Sequence, residues 1–217
     1  MCFTQKLRRA EDAAARSLRS GLPHLLRAGE GPVLFSAPHS VEQTRQGRTK
    51  PAEPQTAVLA ELLHAETGCP ILYKTAHCGD DANFDAVSPY KDALADYISG
   101  GGVRFVIDLH QLAPTRDVMV DIGTGGGKNG CTPAALNVFL RAFSARPLGV
   151  VQVDEPFGAC FAHTVSAATA RRCGVACVQL ELNSRLLWPD FEEYDMAGVF
   201  DALCDCRRLL CRLLEEG

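Results

Sequence analysis

VRFVIDLH, residues 103–110, is the stretch on which the reading of the whole chain turns. Val103, Phe105, Val106 and Ile107 are β-branched or aromatic, and such a run with few polar interruptions marks a strand buried on both faces, as in a parallel sheet. Asp108 and His110 place two ionisable groups at its carboxyl end. Just upstream, Gly100, Gly101 and Gly102 stop a helical pattern over residues 88–99. Helix, break and strand therefore follow one another within 23 residues.

Outward from that stretch the same unit recurs. Upstream, PVLFSA (32–37), bounded by Gly31 and Pro38, reads as a strand, followed by a polar loop from His39 to Pro54. A helix over 55–67 is stopped by Gly68, ILYKT (71–75) is the next strand, and residues 80–85 form a loop rich in Asp and Asn. Downstream come a strand at 117–122, a helix at 133–145, a strand at 148–153, a helix at 163–173 and the strand VACVQLEL at 175–182. A last helix runs from near Tyr194 to the end. Leu7, Ala14, Leu18, Leu22, Leu25 and Leu26 give the first 28 residues a helical period broken at Gly21, Leu22 and Pro23, which predicts two short helices or one kinked helix. Such alternation predicts an α/β fold, a mixed and mostly parallel sheet covered by helices on both faces, in one domain spanning 1–217.

Composition narrows the function. The 217 residues are 47% hydrophobic and 22% charged, enough to build a core, and the net charge of −4 lacks the basic excess that a phosphate backbone rewards, so nucleic acid is not an expected partner. Charges at Lys6, Arg8, Arg9, Glu11 and Asp12 break any signal-peptide pattern, and no apolar run is long enough to span a membrane. The ten cysteines contain no Cys-x-x-Cys pair, which points to reduced thiols buried as small hydrophobes and to a cytoplasmic protein without a membrane partner.

Ligands of open α/β sheets bind beyond the carboxyl ends of the strands. His39 and Glu42 lie there, three residues apart, and His110 arrives from another strand; two His and one Glu with an open fourth position form a catalytic zinc set. Asp108 is a candidate to support a ligand ring. Glu181, on the apolar strand VQLELN, is a candidate general base because burial raises a carboxyl pKa. The alternative is that Glu181 faces outward and pairs with Arg171 or Arg185.

APHS at 37–40, DLH at 108–110, VDEPF at 153–157 and QLELNSRLL at 179–187 occur in the order seen in N-formylglutamate amidohydrolases, and the chain resembles that family from about Val33 to Trp188. The family is itself similar to zinc carboxypeptidases and aspartoacylase. The resemblance implies a three-layer αβα, phosphorylase/hydrolase-like fold, one Zn2+ per chain held by His39, Glu42 and His110, Glu181 as base, and hydrolysis of an N-formyl or N-acyl amino acid. Two departures stand out. Val41 replaces a Gly, and DDANFD at 80–85 places Phe84 where the family has Arg. Glu53, in the same loop as Glu42, is the substitute acidic ligand.

An acidic amide substrate requires a cation, and Arg45, Arg48 and Lys50 follow His39; Arg45 is preferred for its planar fork, with Lys50 as a point charge. Asn83 is assigned to the substrate on the matching segment, and His163 is a further substrate-binding candidate that either polarises the scissile carbonyl, donates to the leaving nitrogen, or merely begins a helix. GTGGGKN at 123–129 mimics a phosphate loop, yet Ile122 and Asn129 stand where Gly and Ser or Thr are needed, so it reads as a lid beside the metal cleft. The rival readings are a zinc carboxypeptidase or peptidoglycan amidase-like hydrolase with an open groove, and a catalytically inactive module that binds a small acid.

Overall fold

The computed structural model describes residues 1–216. Gly217, the last residue of the expected domain, lies outside the described residues. Helix α1 (Phe3–Leu18) is followed by β1 (His24–Arg27) and β2 (Val33–Ala37), a small hairpin of β3 (Gln43–Arg45) and β4 (Arg48–Lys50), then α2 (Pro54–Thr67) and β5 (Ile71–Lys74). Next come α3 (Pro89–Ser99), β6 (Phe105–Leu112), β7 (Val120–Gly123), α4 (Pro133–Ser144), β8 (Val151–Val153), α5 (Val165–Cys173) and β9 (Ala176–Asn183), closed by α6 (Ser184–Leu187) and α7 (Met196–Glu216).

Seven strands form one sheet in the order β1-β5-β2-β6-β9-β7-β8. The pairs β5/β2, β2/β6, β6/β9 and β7/β8 are parallel, while β1/β5 and β9/β7 are antiparallel. This is a single-domain α/β fold with a mixed, mostly parallel sheet, as the alternation of elements predicts. The larger apolar cluster includes Phe35, Ile107, Val178 and Leu180 and takes in residues of α1, α2, α4 and α7. Leu34, Val106 and Cys177 stand on the opposite face, opposed across β2, β6 and β9, and pack with Tyr90, Leu94 and Val165 of α3 and α5.

Directly opposed residues of neighbouring strands share a face. Ser36, Asp108 and Gln179 lie opposite one another two residues beyond Leu34, Val106 and Cys177, and His110, Glu181 and Asp121 come next. The face under α3 and α5 is therefore apolar toward its amino end and polar toward its carboxyl end. Tyr90 of α3 fixes the boundary: its hydroxyl donates to the carbonyl of Leu72 (2.8 Å) and accepts from the backbone N–H of Ala37 (3.0 Å). That contact holds the last residue of β2 just before His39.

Four elements lie outside the sequence reading: β1, the hairpin strands β3 and β4, and the short helix α6. The helix ends at Leu18, and the rest of the first 28 residues is not helical: Gly21 takes a left-handed φ of 73°, and His24–Arg27 pairs antiparallel with Ile71–Lys74. Strand pairing at a sheet edge overrides the local helical period there. The polar loop 39–54 contains the hairpin β3/β4, turned by Gln46 (φ 52°) and Gly47 (φ 73°), a left-handed pair suited to a two-residue hairpin. Of the ten cysteines, all free, four are buried and the other six are partly or fully exposed, so the expectation of buried thiols holds for a minority.

Candidate metal centre

Beyond β2 the chain turns sharply, with the Ser40 hydroxyl donating to the carbonyls of Ala37 (3.2 Å) and Lys74 (2.5 Å). The excursion through β3 and β4 then returns to its start, where the backbone N–H of Glu53 donates to the carbonyl of His39 (2.8 Å). Pro54 opens α2, and the Glu53 carboxylate makes no capping bond to the helix. It turns back instead: Oε1 lies 2.9 Å from His39 Nδ1 and Oε2 lies 3.3 Å from His110 Nδ1. Oε2 also accepts from the backbone N–H of Gln111 (3.0 Å).

The two Nδ1 atoms are 3.2 Å apart. A tetrahedral ion held at about 2.0–2.1 Å by each donor requires donors roughly 3.3 Å apart. The Nδ1–Nδ1 separation of 3.2 Å is close to that requirement, and Glu53 faces the two rings with different oxygens, 2.9 Å from His39 and 3.3 Å from His110. The donor set is also chemically suitable, since two imidazoles and a carboxylate suit zinc and similar borderline ions.

Each ring is braced from behind. His39 Nε2–H donates to Asp81 Oδ1 (2.8 Å), and His110 Nε2–H donates to Asp108 Oδ2 (3.1 Å). Carboxylate partners of this kind fix the tautomer so that Nδ1 carries the lone pair a metal needs. Glu53, Asp81, Asp108 and Glu181 thus bring four carboxyl groups into one largely buried region. Asp108 Oδ1 has no hydrogen-bond partner among the described residues. Such a concentration of acid is balanced when a divalent cation joins it.

The electrostatics agree. Burial pulls the imidazole pKa of His39 down, but Glu53 and Asp81 outweigh it, and the net shift is upward. Burial likewise opposes the charged form of His110, which Asp108 and Glu53 hold well above the usual imidazole range. Glu53 and Asp81 are both held below the ordinary carboxylate range because their imidazole partners, and Arg45 for Asp81, prevail over burial. Glu181 goes the other way: burial dominates, Glu53 adds repulsion, and its carboxyl is pushed up to about 7.

Of the residues singled out in the sequence, His39, His110 and Glu181 come together. Glu42 does not join them. It is exposed in the turn before β3, and Glu53 takes the acidic position because the hairpin folds its backbone against His39. The sequence signal for Glu53 is Pro54, which marks a helix start at the carboxyl edge of the sheet. Glu181 faces inward, cross-strand from His110 and Asp121, while Arg171 donates to the carbonyl of Ala162 and Arg185 to Glu193, so neither outward pairing forms.

Arg45 donates through Nε to Asp81 Oδ2 (2.8 Å), and its guanidinium lies 4.9 Å from the centre of the Phe84 ring. Sequence reasoning missed Asp81, the residue that joins Arg45 to His39. Lys50 ends β4, half-buried and paired in register with Gln43. Asn83 bonds to protein groups on both sides of its amide, donating to Gln179 and accepting from Val165. His163 stacks on Phe161 (centroids 5.5 Å apart, planes 6° apart) and meets Phe84 at a tilt (5.2 Å, 58°).

The glycine loop 123–129 is not beside this centre. β7 runs antiparallel to β9, so the loop lies toward the amino end of β9, where the Asn129 carbonyl accepts from Cys177 N–H (2.8 Å). Its anion-binding donors are occupied: Thr124 N–H, Thr124 Oγ1 and Gly126 N–H all donate to Asp154, at 2.6, 2.7 and 3.2 Å. A carboxylate of the chain itself fills the place a phosphate would take.

No protein-family model matches the sequence, and no curated protein matches it. Solved structures do match. The gene product Atu2144 from Agrobacterium tumefaciens is similar with a TM-score of 0.64 at 15% identity, covering 89% of this chain and 95% of that one. An N-formylglutamate amidohydrolase from Ralstonia eutropha JMP134 has a TM-score of 0.56 at 15% identity, covering 89% and 97%. A bacteriophage poly-gamma-glutamate hydrolase has a TM-score of 0.60 at 11% identity, covering 95% and 97%. The fold is shared with the family that the sequence motifs resemble. At these identities the likeness is one of fold, and the chemistry rests on the side chains described above.

Proposed function

We propose that the protein is a zinc-dependent amidohydrolase that cleaves a small N-formyl or N-acyl amino acid of acidic character. The observation that carries this reading is the convergence of His39, Glu53 and His110, whose donor atoms lie within 4.8 Å of one another, with the base candidate Glu181 opposite His110. A bound ion would supply Lewis-acid polarisation of the attacking water and of the scissile carbonyl. The chain's own contribution is proton handling and orientation. Glu181 takes a proton from water as the oxygen bonds to the acyl carbon, then delivers it to the amide nitrogen as the C–N bond breaks, leaving a carboxylate and an amine.

Arg45 remains the proposed partner for a substrate carboxylate, reaching it with the nitrogens beyond Nε, while Lys50 adds positive charge from the hairpin. Two of the similar structures are named for substrates that contain glutamate, which supports an acidic unit in this substrate too. Small size is supported by burial: His39, His110 and Glu181 are 3%, 1% and 8% exposed, a poor match to the open groove a polymer would need. No described helix is long and apolar enough to cross a membrane. A cytoplasmic location, with no nucleic-acid or membrane partner, completes the proposal.

The test is metal analysis of the purified protein followed by a hydrolysis screen over N-formyl, N-acetyl and N-succinyl amino acids. About one zinc per chain and turnover of an acidic member are expected, with Glu181→Gln retaining metal while losing ~10²–10⁴ of the rate. Full activity in Glu181→Gln, or in protein stripped of metal, would overturn the mechanism.

A further inference from the structure

Three hydrogen bonds lead from a helix end to the base. The backbone N–H of Val165, the first residue of α5, donates to Asn83 Oδ1 (2.7 Å). Asn83 Nδ2 donates to Gln179 Oε1 (3.1 Å), and Gln179 Nε2 donates to Glu181 Oε1 (2.9 Å). Direction is fixed at the first link, because a backbone N–H can only donate. Asn83 must therefore present its oxygen to α5 and its nitrogen to Gln179. Gln179 in turn must present its oxygen to Asn83 and its nitrogen to Glu181. Gln179 is 3% exposed, so water offers little competition for these bonds.

We infer that Asn83 and Gln179 are positioning residues that orient the Glu181 carboxylate through this directional chain, and that Asn83 does not recognise substrate. The inference rests on Glu181 as the base. With Oε1 engaged by Gln179, the oxygen that exchanges protons with water and with the leaving nitrogen is Oε2. Both amides act through Glu181, and neither touches the reacting atoms.

Asn83→Asp tests the chain with almost no change of shape. The carboxylate it introduces can still accept from Val165 but cannot donate to Gln179, so the Gln179 amide turns over and faces Glu181 with oxygen. The expected result is a kcat reduced about tenfold or more, with KM and metal affinity within twofold of wild type. Gln179→Leu should give a similar loss, and the double variant should be no worse than the poorer single one, as for residues acting in one chain. A raised KM with unchanged kcat in Asn83→Asp would return Asn83 to the substrate and overturn the inference, as would additive losses in the double variant. A readout independent of activity comes from NMR of the Gln179 side-chain amide, identified by its absence in Gln179→Leu. Its protons should be protected from exchange and should shift in Asn83→Asp. Unprotected, unshifted protons would overturn the chain even in an active enzyme, and protected, shifting ones would sustain it even where no amide is cleaved.

Discussion

Replacing Glu42 and Glu53 separately distinguishes the two acidic residues of one loop. Glu53→Ala should abolish metal retention, whereas Glu42→Ala, which removes an exposed side chain, should leave stoichiometry and affinity unchanged, as read by elemental analysis after dialysis. Behind the ligands, Asp81→Ala removes the acceptor of His39 Nε2–H and should weaken metal binding by about 10- to 100-fold. Arg45→Ala should act in the same direction but less strongly, because it frees one oxygen of Asp81 and leaves the other on His39. This separates Arg45 from a residue that touches only substrate. A change confined to KM, with titration calorimetry showing wild-type metal affinity, would place its whole effect on substrate.

Elements set these residues in place, and their boundaries carry measurable cost. Gly68 ends α2 in a left-handed conformation (φ 67°) with open space where a Cβ would stand, so Gly68→Ala isolates backbone strain from steric clash. It should cost about 1 kcal/mol in denaturant unfolding while leaving metal binding and turnover intact. The same glycine was legible in the sequence, as were β2, β6 and β9, because uninterrupted apolar runs and glycine stops are local signals. His39, His110 and Glu181 were legible for a related reason: each follows or ends such a run. Glu53 was harder to place, since its position depends on a hairpin that brings residue 53 back to residue 39. Asp81 and Gln179 lie in stretches the sequence marks, DDANFD and QLELN, but nothing local to either assigns its contact. Their roles arise from contacts across 42 and 96 residues with His39 and Asn83.

For the whole molecule, protonation and the proposed metal binding would be linked. In metal-free protein the raised pKa values of His39 and His110 contribute stability that is present below about 6.5 and lost as pH climbs through their folded values. Glu181, raised from 4.5 to about 7, binds more proton folded than unfolded between those values, so its ionisation removes stability over the same rise. Glu53 and Asp81, held low, contribute stability above the ordinary carboxylate range and lose it as pH falls below it. Metal-free protein should therefore melt at progressively lower temperature from pH 6 to pH 8, by about 2–4 °C for each kcal/mol at this chain length. Zinc bound as proposed would take the place of protons between the rings and should erase the decline; parallel pH dependence with and without zinc in scanning calorimetry would contradict the linkage. A different consequence follows from the two outermost strands. β1 has four residues and β8 only three, and each presents one unpaired edge. Leu26 on the first and Val150 beside the second are 41% and 50% exposed, the sort of apolar surface that invites another chain to add itself as a strand. Edges this brief offer such an intruder too few backbone bonds to hold, so resistance to fibril-like aggregation is built into the length of the sheet's borders, independent of anything that happens at the carboxyl ends of its strands.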